Sequence, residues 1–235
     1  MDTYIPFCGL PPTPAEVLSR WTLDPTLLIG LVLALAVGWA VANERKRITV
    51  GWVMVALLFI SPICAASMAL FSARVAQHIL LTLIAAPLIA TALPRLRAPA
   101  MPFALGFAIL FWLWHAPLPY AATLQSDAVY WVMHISLTGS AVALAASLLN
   151  APERGILALA FTAAELTAFA AILTLSTSAW HGWHAVTTAP YGLSALEDQQ
   201  LAGALMWVAG GAVMMGLIGW FAMRAVRGGL GKESL

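Results

Sequence analysis

Between Arg74 and Pro94 the chain reads VAQHILLTLIAAPLIATAL (residues 75–93), a run without an Asp, Glu, Lys or Arg. One hydrocarbon crossing takes about 20 apolar residues in an α-helix, so this run is long enough to span a bilayer. It does not alternate, as a barrel strand would. In lipid each backbone polar group must be satisfied within its own segment, which leaves a helix as the remaining choice. Six further runs share the pattern, giving seven predicted spans: Thr26–Asn43, Thr49–Phe71, Val75–Leu93, Ala98–Trp114, Ala128–Leu149, Gly155–Thr177 and Leu201–Met223. Pro62 and Pro87 lie inside two of them and are expected to kink their helices.

The composition agrees. Of 235 residues, 62% are apolar and 9% are charged, against roughly 25% charged in a soluble domain. Mean hydropathy is +0.90. A soluble enzyme of this size could not hide so much apolar surface. Net charge is +1, and the longest basic run is Arg45-Lys46-Arg47, which argues against nucleic acid as a partner. The expectation is an all-α, polytopic seven-helix bundle in a lipid bilayer. Residues 1–25 form an N-terminal arm, 26–224 the transmembrane domain and 225–235 a tail. Pro6, Pro11, Pro12, Pro14 and Pro25 interrupt the arm, and no basic stretch leads it, so it reads as an arm rather than a signal peptide.

Basic residues set the orientation. With the N-terminus outside, Arg45, Lys46, Arg47, Arg95, Arg97, Arg154, Arg224, Arg227 and Lys232 fall inside, and Arg20 and Arg74 outside. Asp2, Glu16, Asp24, Asp127, Glu197 and Asp198 fall outside. The C-terminus is then cytoplasmic.

In this frame every histidine and both cysteines lie on the outer side. Counting turns places Cys64, His78, His134 and Met206 roughly 5–12 Å below the outer helix ends. His115 closes the fourth span, and Cys8 lies in the arm. Thiolate, thioether and imidazole together favour Cu(I) over zinc. Cys64 and Met68 share a helix face, as do Arg74 and His78. The expected ligands are Cys64 and His78, then His134, His115 and Met68, with Cys8 on a flexible arm receiving or releasing the ion. Asp198 would orient a histidine or pair with Arg74.

Plainer readings stand beside these. A membrane histidine commonly ties two helices together, methionines fill gaps, and Cys8 and Cys64 could form a disulfide on an oxidising side. His181 and His184, in a loop with Trp180 and Trp183, read as interfacial. Glu165, mid-span, is expected to be protonated or hydrogen-bonded to Thr162 or to another helix. Paired histidines such as His78 and His134 also suit haem axial ligation, and a metal-free accessory subunit of a respiratory oxidase is a further alternative. A transporter is disfavoured, for want of paired broken helices. With no nucleophile–base pair and no phosphate loop, the chain reads as a non-enzyme.

Taken in order, several segments resemble the CtaG-type cytochrome c oxidase assembly family: Ser61-Pro62-Ile63-Cys64, Leu70-Phe71-Ser72-Ala73-Arg74-Val75-Ala76-Gln77-His78, Ala86-Pro87-Leu88, Trp112-Leu113-Trp114-His115-Ala116-Pro117, His134, and Leu196-Glu197-Asp198-Gln199-Gln200-Leu201-Ala202-Gly203 before Met206-Trp207. Phe7-Cys8-Gly9 and Arg20-Trp21 resemble the arm of a proteobacterial branch. The resemblance covers most of the chain. It implies a chaperone-like protein of the bacterial cytoplasmic membrane that supplies copper to a haem–copper oxidase subunit, with a periplasmic copper chaperone as a further partner. His78, His115, His134 and Asp198 carry over as its functional set, with Arg74, Gln77 and Trp114 beside them. Many relatives have histidine where this chain has Arg74, which removes a ligand and adds a charge.

Overall fold

The computed structural model describes residues 4–94, 96–150 and 152–233. Asp2 and Arg95, used above for orientation, lie outside the described residues, as do the side chains of Arg154, Arg224, Arg227 and Lys232. Among the described residues all regular structure is helical. The helices are α1 (Pro25–Val41), α2 (Arg45–Ile60), α3 (Pro62–Ala69), α4 (Phe71–Ala92), α5 (Ala100–His115), α6 (Pro117–Thr123), α7 (Asp127–Asn150), α8 (Pro152–Leu175) and α9, which starts at Ala195 and runs on to Glu233.

Four of these are long and apolar enough to cross a membrane: α4, α7, α8 and the Ala195–Met223 part of α9. Two bent pairs bring the number to six, α2 with α3 (49°) and α5 with α6 (76°). Helix α1 is apolar but only 17 residues long. The chain is therefore an all-helical membrane protein with four to six candidate spans.

Each bend has a local cause. Proline pushes the residue before it out of the helical region. Ser61 (ψ 169°) and Ala116 (ψ 144°) are extended, and Pro62 and Pro117 each start the next helix. The expected continuous span Thr49–Phe71 is thus broken twice, at Ser61 and again at extended Leu70 (ψ 130°). Pro87 acts differently. It follows a π-helical turn at Leu80–Ala85, and α4 passes through both as one span. A proline has no N–H to give the preceding turn, and a wider turn accommodates the loss. A second π turn, Met206–Gly210, interrupts α9.

Two capped ends set the entry of the chain into the bundle. Asp24 accepts the Leu27 N–H at 2.9 Å in front of Pro25, and Ser194 and Glu197 form a capping box at the start of α9. Apolar side chains of α1 such as Ile29, Val32, Leu33 and Val37 are exposed, as a lipid-facing helix requires. Close approach elsewhere relies on small residues. A Cβ on Gly203 would stand 2.7 Å from the Ala170 carbonyl, so α9 meets α8 backbone to side. The breaks at Ser61 and Ala116 lie at the end of the bundle that carries the histidines. There α3, α6, the arm and the 176–194 loop close over it.

A histidine layer under a disulfide-tied arm

His78 on α4, His115 at the end of α5 and His134 on α7 are all buried, and they meet. The His78 ring lies 5.5 Å from that of His115 and 5.2 Å from that of His134, edge to face in both cases. Three separate helices thus bring imidazoles into one layer, with His78 and His134, two of the four residues that turn counting placed together, in ring contact. His115 places Nδ1 2.7 Å from the Phe111 carbonyl, and His134 places Nδ1 2.9 Å from the Tyr130 carbonyl. A carbonyl only accepts, so both Nδ1 atoms carry hydrogen and both Nε2 atoms keep a lone pair. The Nε2 of His134 has no hydrogen-bond partner, and His78 has none on either ring nitrogen. Unbonded buried imidazole nitrogens are costly, and His181, outside the layer, shares this property on both of its ring nitrogens. Among the described residues, no group of three or more His, Cys, Asp and Glu side chains is arranged to hold a metal ion.

The expected sulfur donors lie elsewhere. Cys8 and Cys64 are joined in a disulfide, with Cα atoms 5.4 Å apart. In this form neither is a thiolate, and ligation by Cys64 or handover through Cys8 would require reduction. Linking residues 56 apart removes about 4 kcal/mol of unfolded-chain entropy. The arm is not the flexible segment that the handover role of Cys8 assumed. Besides the disulfide, Phe7 stacks on Tyr130 at 5.4 Å, the Tyr4 hydroxyl donates to Asp127, and the Tyr191 hydroxyl donates to the Pro12 carbonyl at 2.9 Å. The Met68 sulfur lies 3.9 Å from Nη2 of Arg74, a poor place for another cation.

Asp198 neither orients a histidine nor pairs with Arg74. Fully buried, it accepts from the backbone N–H of Phe71 and Ser72 and from the Ser72 hydroxyl, capping α4 from across the bundle. Arg74 is 1% exposed, with no carboxylate within 4 Å among the described residues. Its Nη1 donates to Thr123 Oγ1 at 2.9 Å, and its guanidinium lies 4.9 Å from the Tyr120 ring and 5.9 Å from the Tyr130 ring. Aromatic faces thus offset part of the cost of burying the charge. Gln77 donates to the Leu58 carbonyl at 2.8 Å, and Trp114 to Ser136 at 2.9 Å, tying α4 to α2 and α5 to α7. Glu165 accepts from Trp112 of α5 at 3.0 Å, the inter-helix partner expected for it, and not from Thr162.

His181 and His184 are not interfacial. Both are buried where the 176–194 loop folds back over α3 and α6. His184 lies 2.6 Å from the Tyr120 hydroxyl and 3.2 Å from the Ala69 carbonyl, while Trp183 donates to the Met68 carbonyl at 2.8 Å. His181 stacks on Tyr120 at 4.0 Å. Burial, then the charge of Arg74, pushes His184 down to about 4; burial, then His184, pushes His181 down to about 3. Both are neutral when folded, while the unfolded imidazoles titrate near 6.5. The unfolded chain then binds more protons below 6.5, so this contribution is complete above that pH and is lost as pH falls toward 4. Melting temperatures in detergent from pH 7.5 to 4 should decline accordingly, and less steeply in His181→Phe. An equal slope in both proteins would contradict this assignment.

Tyr130, Tyr120, Thr123 and Ser72 were not singled out from sequence. A signal existed for one: Tyr130 stands four residues before His134, the spacing that lets a helical imidazole reach a backbone carbonyl.

The fold and site thus define a helical membrane protein with a buried imidazole layer beneath an oxidised cap. The family model of the cytochrome c oxidase caa3 assembly factor (Caa3_CtaG) matches residues 38–105 and 96–228, and the chain belongs to that family. It is a cytochrome c oxidase assembly factor by that membership. No curated protein and no solved structure matches the chain.

Proposed function

We propose that this protein crosses the bacterial cytoplasmic membrane seven times with its N-terminus outside, binds Cu(I) at the histidine layer, and passes it to a haem–copper oxidase subunit. The seven crossings are α1, the two bent pairs, α4, α7, α8 and α9. The balance of basic residues supports the orientation, which puts the histidine layer and the disulfide on the periplasmic side, where a copper chaperone could deliver the ion. The observation that carries the copper reading is His78: a buried imidazole with both nitrogens unbonded, between two histidines that each keep a free Nε2 lone pair. Imidazole is a good Cu(I) donor. Haem ligation between His78 and His134 is disfavoured, because their rings touch and leave no slot for a macrocycle. A metal-free accessory subunit remains the contrasting reading, and it predicts stable co-purification with the oxidase and no copper.

The cellular test is the copper content of the partner oxidase. Oxidase isolated from cells lacking this protein should contain haem but be short of copper, and wild-type protein should restore it while His78→Ala does not. Full copper loading in the absence of the protein would overturn the proposal.

A further inference from the structure

Behind the histidine layer lies a cavity of about 120 Å³. His78 and His115 line it together with Met206, Met214, Thr82 and Thr167, whereas His134 faces a different groove, between α1 and α7. We infer that the ion sits on this cavity side of His78, held by His78, His115 and the thioether of Met206. The inference rests on the copper reading above and names its third donor.

Elimination supports Met206. No three His, Cys, Asp or Glu among the described residues are arranged around an ion, so a three-coordinate site at His78 and His115 would take its third donor from another residue type. Cys8 and Cys64 are consumed in their disulfide, and the Met68 sulfur faces the Arg74 guanidinium. Met206 is buried, lines the cavity and starts the π turn at Met206–Gly210. That turn explains how α9 supplies the wall. On an unbroken α-helix, residues eight apart such as Met206 and Met214 differ in direction by about 80°. One inserted residue takes back about 100°, bringing the two to within about 20° of each other. Both then line one cavity. They remain about 10 Å apart along the axis, too far to share one ion, so Met214 lies deeper than the site.

Silver(I) tests this on the full-length protein, because it mimics Cu(I) without a reductant and leaves the disulfide intact. Thiol alkylation confirms that state. X-ray absorption of the wild-type silver complex should show both nitrogen and sulfur neighbours. Met206→Leu, which conserves volume and costs little stability, should lose the sulfur neighbour and bind roughly tenfold more weakly. Met214→Leu should match wild type in both respects. Nitrogen-only ligation in wild type, or unchanged binding by Met206→Leu, overturns the inference while leaving the histidine site standing. A wild-type protein that binds no silver overturns both.

Discussion

Asp198→Ala protein is expected to lose about 3 kcal/mol or more of stability, and to melt well below wild type in the same detergent. Asp198 is fully buried and accepts from two backbone N–H groups and one hydroxyl, all at the first turn of α4. Removing it strands three buried donors at about 1–3 kcal/mol each, partly recovered by relaxation. The effect is focused. Leu70 is extended, so α4 begins abruptly at Phe71, and nothing within its own sequence replaces this cap. Asp198→Asn keeps an oxygen acceptor but turns an amide toward a donor, so an intermediate loss is expected. Hydrogen exchange should locate the damage at Phe71 and Ser72. Wild-type stability in Asp198→Ala would show that the carboxylate is not a structural cap.

His78→Ala should weaken Cu(I) binding by roughly a hundredfold or more, equivalent to about 2.7 kcal/mol. This histidine is the shared neighbour of the other two, and no ring nitrogen of His78 holds a hydrogen bond. Its removal therefore breaks no polar network, and a loss of copper cannot be assigned to one. His115→Ala should cost nearly as much, because His115 lines the same cavity. His134→Ala should cost less. Equal copper affinity in wild type and His78→Ala, measured on protein of equal melting temperature, would contradict the layer as the site.

The membrane class was legible because apolar runs of spanning length allow no other solution, although four to six candidate spans stand where seven were expected. Turn counting also placed His78 and His134 at one depth, since helical rise is nearly constant, and their rings lie 5.2 Å apart. What sequence could not supply were the partners that only folding brings together. Asp198 read as a histidine's partner, yet it caps a helix that starts 127 residues earlier. Cys64 read first as a ligand and Cys8 as mobile, with their disulfide as the plainer alternative, and the folded arm forms that disulfide. The break at Leu70 has no proline to announce it, and it depends on Asp198 waiting across the bundle. His181 and His184 looked interfacial because the tryptophans between and beside them suit a headgroup region, but the loop folds inward on Tyr120.

The central claim is tested most directly by competing the purified wild-type protein, its disulfide intact, against a chromophoric Cu(I) chelator. Tight, near-stoichiometric retention of Cu(I) is the predicted result. Complete transfer of the copper to the chelator, with the protein folded and the disulfide confirmed, would contradict the account and leave a membrane scaffold in its place.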